Sequence, residues 1–210
     1  MKDLVIIGAG SYGREVYNLA LECRGYGTDF IIKGFIDNLY DRIDHDGYPP
    51  ILGTVDSYSI QTDDVFVCAL MDVDIKKKYI DCIANKGGQF FNLIHNTSTI
   101  WKNSKLGVGC IIFDNVHISC DIIIGNFVTI QPLSVLGHDV IIKDYCHLNT
   151  YTFLGGKAVV NEMVIINTGA IIHPSIEIGK HAVIGAGSVV LRKVKDNVTV
   201  FGSPAKELSF

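Results

Sequence analysis

From Ile100 onward an aliphatic side chain returns at every sixth position: Ile100, Leu106, Ile112, Ile118, Ile124, Ile130, Leu136, Ile142, Leu148, Leu154, Val160, Ile166, Ile172, Ile178, Ile184 and Val190. A period of six fits neither the helical repeat of about 3.6 nor the strand repeat of two, so it predicts a solenoid of short flat faces joined by turns. Two residues before each of these sites the chain is again small or branched, as at Cys110, Val128, Ser134, Cys146, Ala170 and Ser188, which marks a second interior position with little room. Glycine often follows the aliphatic residue (Gly107, Gly125, Gly137, Gly155, Gly179, Gly185), predicting corners that need either a positive φ or a close approach of backbones. Three such faces make a coil of eighteen residues, so residues eighteen apart stack, Asn149-Thr150 over Asn167-Thr168 and Gly137 over Gly155. At the strand spacing of about 4.8 Å, roughly five coils form a prism on the order of 24 Å long. A coil alone cannot bury its faces, and stacking supplies the stability.

The first part of the chain has a different rhythm. Leu4 to Ile7 reads as a strand, Gly8-Ala9-Gly10-Ser11-Tyr12-Gly13 as a tight turn, and the spacing of Val16, Leu19, Ala20 and Cys23 as a helix. A second strand, Phe30 to Ile36, ends in Asp37-Asn38, where a dinucleotide fold places an acid for a ribose. An acidic, turn-rich loop is expected over 39–50. A third strand over 65–70, a helix over 74–85 and a last strand over 89–94 complete an alternation that predicts a parallel sheet with helices on both faces. The expected architecture is therefore a small Rossmann-like α/β domain over residues 1–95, an all-β parallel β-helix over 96–192, and a tail over 193–210 carrying Gly202-Ser203-Pro204-Ala205-Lys206. The α/β part is about half a full dinucleotide fold, so a mononucleotide, or no ligand at all, fits it better than NAD.

Composition narrows the functional classes. A formal charge of -4 without a basic run argues against nucleic acid or an anionic membrane as partner. No apolar run reaches transmembrane length, and Met1-Lys2-Asp3 leads straight into a strand pattern without the features of a secretory signal. The expectation is a cytoplasmic protein. The six cysteines form no C-x-x-C pair and no zinc-finger spacing, and they read as reduced thiols, largely buried. His117, His173 and His181 lack the close pair, four residues apart, of zinc enzymes built on the same solenoid, so no metal is expected.

The order of the Gly-rich domain, Gly34-Phe35-Ile36-Asp37-Asn38, Gly47-Tyr48-Pro49-Pro50-Ile51-Leu52-Gly53, Asn92-Leu93-Ile94-His95 and then hexapeptides containing Gly137-His138-Asp139 resembles one family over nearly the whole chain. It is that of the bacterial sugar O-acyltransferases of the sialic acid O-acetyltransferase type, with their UDP-amino-sugar N-acetyltransferase relatives. The resemblance implies left-handed coiling, a homotrimer with active sites between prisms, and acetyl-CoA as the donor. It also implies His138 as general base, with Asp139 orienting the ring. It assigns His147, Gly156, Thr168 and Ala186 to the acetyl-CoA site, and Gly10, Ser11, Tyr12, Asp37 and Asn38 to the nucleotide part of a UDP-sugar. Lys206 would meet a coenzyme A phosphate. The chain departs from relatives at Ala69-Leu70-Met71-Asp72, where they carry a Gly-Asn-type turn and a following Arg.

The residues support the base independently. Acetyl transfer from a thioester requires removal of a proton from the attacking amine or hydroxyl, and imidazoles exchange protons near neutrality. His138 follows a core Leu and a corner Gly, which directs its side chain out of the prism. The expected function is thus acetyl-CoA-dependent acetyl transfer to the amine or hydroxyl of a sugar, with a nucleotide-activated amino sugar or surface-polysaccharide precursor as acceptor. A free sialic acid or other small acceptor, and a non-catalytic nucleotide-binding scaffold, remain open alternatives at this level.

Overall fold

A computed structural model describes residues 1–39 and 47–208, so most of the acidic loop expected over 39–50 lies outside the described residues. The chain divides into two compact units, Met1–Asn96 and Thr97–Phe210.

The first unit is a four-stranded parallel sheet. Its strands are β1 (Lys2–Ile7), β2 (Phe30–Ile36), β3 (Asp64–Cys68) and β4 (Gln89–Phe90), with α1 (Ser11–Leu21) after β1 and α2 (Val73–Asn85) after β3. The spatial order β2-β1-β3-β4 sends one crossover in each direction from the centre, and right-handed crossovers of opposite direction place α1 and α2 on opposite faces. Near-continuous burial of β1 and β3 is the pattern of strands covered on both sides. The expected strand over 89–94 is instead two short pieces, because the ladder to β3 ends at Phe90 and Phe91 N–H closes it on Phe66 O at 2.9 Å. The second helix starts a residue earlier than expected, since Asp72 caps it by accepting from Asp74 N and Ile75 N at 3.0 and 2.9 Å.

Two features lock the remaining segments of this unit. The β1–β2 register slips between Leu4 and Val5, which leaves Lys33 outside the pairing. Its ammonium reaches Asp64 Oδ1 at 2.6 Å, and the buried Asp64 also accepts from Tyr58 Oη and Gln61 N, each at 2.8 Å. The Pro50–Leu52 segment runs parallel beside β2, so close that a Cβ at Gly34 would meet Pro50 O at 2.6 Å. This ties together the two glycine-bearing segments quoted above.

The second unit is a left-handed parallel β-helix of two-residue strands in three sheets. Each aliphatic residue of the six-residue register is the second residue of its strand. From Ile112 on all of them are buried, while Ile100 and Leu106 in the first coil are half-buried. Pairing between the two-residue strands is eighteen residues apart, as in Ile123 on Ile141 on Val159. The first face runs through Thr99–Ile100, His117–Ile118, Val135–Leu136, Phe153–Leu154, Ile171–Ile172 and Val189–Val190. The second runs from Lys105–Leu106 to Glu177–Ile178, and the third through Ile111–Ile112, Thr129–Ile130, His147–Leu148, Ile165–Ile166 and Val183–Ile184.

The small interior site holds hydroxyls and thiols that donate to carbonyls fifteen residues ahead, Ser134 Oγ to Asn149 O at 3.2 Å and Cys146 Sγ to Asn161 O at 3.0 Å. All six cysteines are free thiols, and burial pushes those of Cys23 and Cys68 up to about 12.

The corners decide between the two reasons for glycine. The glycines that follow the aliphatic residue do not take a positive φ. That conformation falls two residues later, at Phe127 (58°), Leu133 (62°), Asp139 (59°), Tyr151 (61°), Lys157 (64°) and their equivalents. The glycines serve close approach instead: a Cβ at Gly137 would meet Gly156 N at 2.6 Å, and one at Gly155 would meet Pro174 N at 2.5 Å.

After Val190 the tail adds to this unit. Thr199–Gly202 pairs in parallel with Val183–Ile184 and turns back through a cis Ser203–Pro204 bond onto Ala205–Glu207.

Candidate active site

His138 stands on the corner between the first and second faces, two residues beyond the strand Val135–Leu136. The left-handed conformation of Asp139 curls its carboxylate back onto the preceding ring, and Asp139 Oδ2 lies 2.6 Å from His138 Nδ1. An ionised carboxylate only accepts, so Nδ1 carries the proton and Nε2 presents a lone pair. The two side chains are 59% and 50% exposed, which leaves the pair open to a ligand. Gly156, one coil on, lies against the ring, and a Cβ there would stand 2.7 Å from Nε2.

The structure separates the residues assigned to the donor. Gly156 shares the corner of His138. Thr168 and Ala186 are exposed on the corner between the third and first faces, the opposite edge of the first face. His147 lies in the third face with no exposed surface, its Nε2 3.5 Å from Gln131 Nε2, while Gln131 Oε1 accepts from Thr150 Oγ1 at 3.1 Å. Between the two edges the first face is apolar and open, with Val135, Phe153 and Ile171 exposed by 37%, 41% and 43%. Lys206 is exposed in the tail hairpin, opposite Phe201, and Gly202 N–H ties that hairpin to Ser188 Oγ at 3.1 Å.

In the first unit β2 and β3 diverge from either side of β1, which makes the gap between β1 and β3 the point where the strand order reverses. Open α/β sheets bind ligands at that point. A cavity of ≈ 290 Å³ lies there, lined by Gly10, Ser11, Tyr12, Gly13, Asp37, Leu39, Ala69, Leu70, Met71, Ile75 and Tyr79. Gly13 is required because a Cβ would run into Gly8 O, and the residues from Gly10 to Gly13 at the start of α1 line the cavity. Asp37 lines it as well, but its two oxygens already accept from Ala9 N and Leu39 N, each at 2.8 Å.

Asn38 does not line the cavity: it donates to Asp56 Oδ2 at 3.0 Å, accepts from Val55 N at 2.8 Å and hydrogen-bonds the cavity-lining Tyr79. Sequence reasoning missed Met71, Ile75 and Tyr79, although Leu70-Met71 had already stood out as unusual. Burial, reinforced by the charges of Asp37 and Asp56, pushes the Tyr79 hydroxyl up, so it stays a donor at neutral pH.

Among the described residues no cluster of three or more His, Cys, Asp or Glu side chains is arranged to hold a metal, and no helix is long and apolar enough to cross a membrane. His117 packs edge-on against Trp101 with centroids 4.9 Å apart, and His181 Nε2 lies 3.1 Å from Met163 Sδ.

The chain thus joins a small α/β unit, with a cavity at its switch point, to a left-handed β-helix that presents a histidine–aspartate pair at one edge. Residues 3–83 match the model of the PglD N-terminal domain, and no curated protein matches the chain by sequence. Solved structures resemble it over its whole length. A mutant of perosamine N-acetyltransferase from Caulobacter crescentus, in complex with CoA and GDP-perosamine, is 26% identical; 100% of this chain and 98% of that one are covered, with a TM-score of 0.90. The acetyltransferase domain of PglB from Neisseria gonorrhoeae FA1090 is 25% identical, with 99% and 100% covered and a TM-score of 0.89. WeeI from Acinetobacter baumannii AYE is 26% identical, with the same coverage and the same TM-score.

Proposed function

We propose that the protein is an acetyl-CoA-dependent N-acetyltransferase acting on a nucleotide-activated amino sugar. The observation that carries this reading is the exposed His138–Asp139 pair beside Gly156. The full-length likeness to perosamine N-acetyltransferase, whose structure holds CoA and GDP-perosamine, supports it.

His138 Nε2 takes a proton from the acceptor amine as the nitrogen attacks the thioester carbonyl. Asp139 keeps Nδ1 protonated and offsets the positive charge the ring then acquires. A C–N bond forms, and backbone N–H groups on the facing edge stabilise the oxyanion. The C–S bond then breaks, and the imidazolium of His138 returns its proton to the departing sulfur, so that coenzyme A leaves as the thiol and the base is regenerated. In the α/β unit the nucleotide occupies the switch-point cavity, with its diphosphate at the amides of Gly10, Ser11 and Tyr12 and its base against Leu70, Met71 and Ile75. Asp37 accepts from the ribose, and Asn38 supports the loop behind it.

The separation of the donor residues accords with a homotrimer. If the apolar first faces gather around a threefold axis, the edge bearing His138 and Gly156 of one subunit meets the edge bearing Thr168 and Ala186 of the next, with His147 behind that edge and Lys206 beyond it. Release of free thiol from acetyl-CoA, followed with UDP-, GDP- and dTDP-linked amino sugars and with free sialic acid, tests the assignment. N-acetylated nucleotide sugar is the expected product. Thiol release with free sialic acid alone, or with no acceptor at all, would overturn the reading.

A further inference from the structure

The His138 ring is 59% exposed, so core packing does not hold it. The structure shows two things that fix its position: the Asp139 carboxylate at Nδ1, and the coil beneath. A Cβ built at Gly156 would lie 2.7 Å from His138 Nε2, 2.9 Å from Cε1 and 3.1 Å from Cδ2, so the edge of the ring that bears the basic nitrogen rests where a side chain would begin. We infer that Gly156 is a positioning residue for His138, its missing side chain being the seat that sets the height of Nε2 above the prism. The inference rests on His138 being the base. It differs from a contact to acetyl-CoA, the role that family resemblance implies for this glycine.

The neighbouring glycines show why the position is special. Side chains at Gly137 and Gly155 would meet backbone atoms of Gly156 and Pro174, which cannot move without disturbing the coil. At Gly156 the obstacle is only the far end of an exposed side chain, and its φ is outside the left-handed region, so alanine is compatible with the fold. Along this column of the corner, Cys120, His138, Gly156 and Pro174 stand eighteen residues apart. A Pro or Cys directly under the ring would leave it no seat.

Gly156→Ala should therefore displace the ring while the protein still folds. A shift on the order of 1 Å at a reacting group costs up to about 100-fold in rate, so kcat should fall about 10- to 100-fold. Both KM values should stay within about threefold and the melting temperature should be unchanged, the signature of a lost transition-state interaction. In the substrate-free protein the ¹⁵N and ¹H resonances of the His138 ring, including Nδ1–H facing Asp139, should move. Unchanged ring resonances would overturn the inference. So would a rise in the acetyl-CoA KM with kcat preserved, which would mean that Gly156 contacts the donor. Because the spectra are recorded without substrate, they judge the seat even if no acceptor supports acetyl transfer, in which case the functional reading fails separately.

Discussion

The two units hold their candidate sites in contrasting ways. In the α/β unit, residues around the cavity are also structural. Asp37 faces the cavity and ties the ends of β1 and β2 through Ala9 N and Leu39 N, and Gly13 both forms the turn and clears Gly8. In the prism, repeated coils carry the stability, and His138 and Asp139 project outward from one corner. Stability and chemistry are therefore coupled in the first unit and separable in the second.

The largest expected effect sharpens that contrast. His138→Ala should lower kcat by about 10²- to 10⁴-fold, the usual contribution of a general base, while circular dichroism and thermal melting stay as in the wild type. Steady-state rates within tenfold of wild type would remove His138 from the mechanism, and a large loss of stability would break the separation itself.

The α/β unit should respond in the opposite way. Asp64→Ala leaves Lys33, Tyr58 and Gln61 without their acceptor and should destabilise the protein by about 3 kcal/mol, as for a broken buried ion pair, measured by denaturant unfolding. The effect should depend on pH. Burial raises the Asp64 carboxyl, but hydrogen bonds from Lys33, Gln61 and Tyr58 outweigh it and hold it below the usual range. A lowered folded value gives stability that is fully present above the unfolded pKa of about 4 and is lost as pH falls through the folded value. The gap between wild type and variant should stay constant from neutrality to about pH 5 and narrow only below about pH 4.

Asp37→Ala tests the coupling directly. Removing the acceptor for two backbone N–H groups should cost about 2 kcal/mol and also weaken nucleotide binding measured by calorimetry. If stability is lost with binding intact, Asp37 has a structural role only.

How much of this was legible in the sequence differs between the units for physical reasons. The prism was plain because its interior accepts one aliphatic residue per face, and a rule repeated that often leaves a period. His138 was legible through the resemblance of Gly137-His138-Asp139 to a family motif, and its place after a corner glycine agreed with an outward side chain. The relation of Gly156 to His138 required only the eighteen-residue stack, yet its content, a ring resting on a missing side chain, lies in three dimensions. In the α/β unit the turn and helix after β1 were readable from Gly8 to Cys23. The direction of Asn38 was not, because it is set by the backbone at Val55 and by Asp56, far along the chain. The left-handed corner residues escaped for another reason. Asn, Asp and Gly mark some of them, but Phe127, Leu133, Tyr151, Lys157 and Met163 carry no such signal, because coil geometry imposes the conformation on whatever residue arrives there.

That last point gives the smallest and most specific test. Gly155 and Lys157 are two residues apart on one corner and should respond to substitution with opposite signs. Gly155→Ala places a Cβ against Pro174 N at 2.5 Å and Pro174 Cδ at 2.6 Å, and such overpacking should cost about 2 kcal/mol. Lys157→Gly relieves a φ of 64° in an exposed side chain. A left-handed conformation costs an L-residue about 1–2 kcal/mol, and glycine gives part of that back through its greater freedom in the unfolded chain. A net gain of about 1 kcal/mol is expected, read as a rise in the denaturation midpoint at unchanged m-value. Should Lys157→Gly destabilise instead, the corner conformation would be one the sequence prefers locally, and the claim that the coil imposes it would fail.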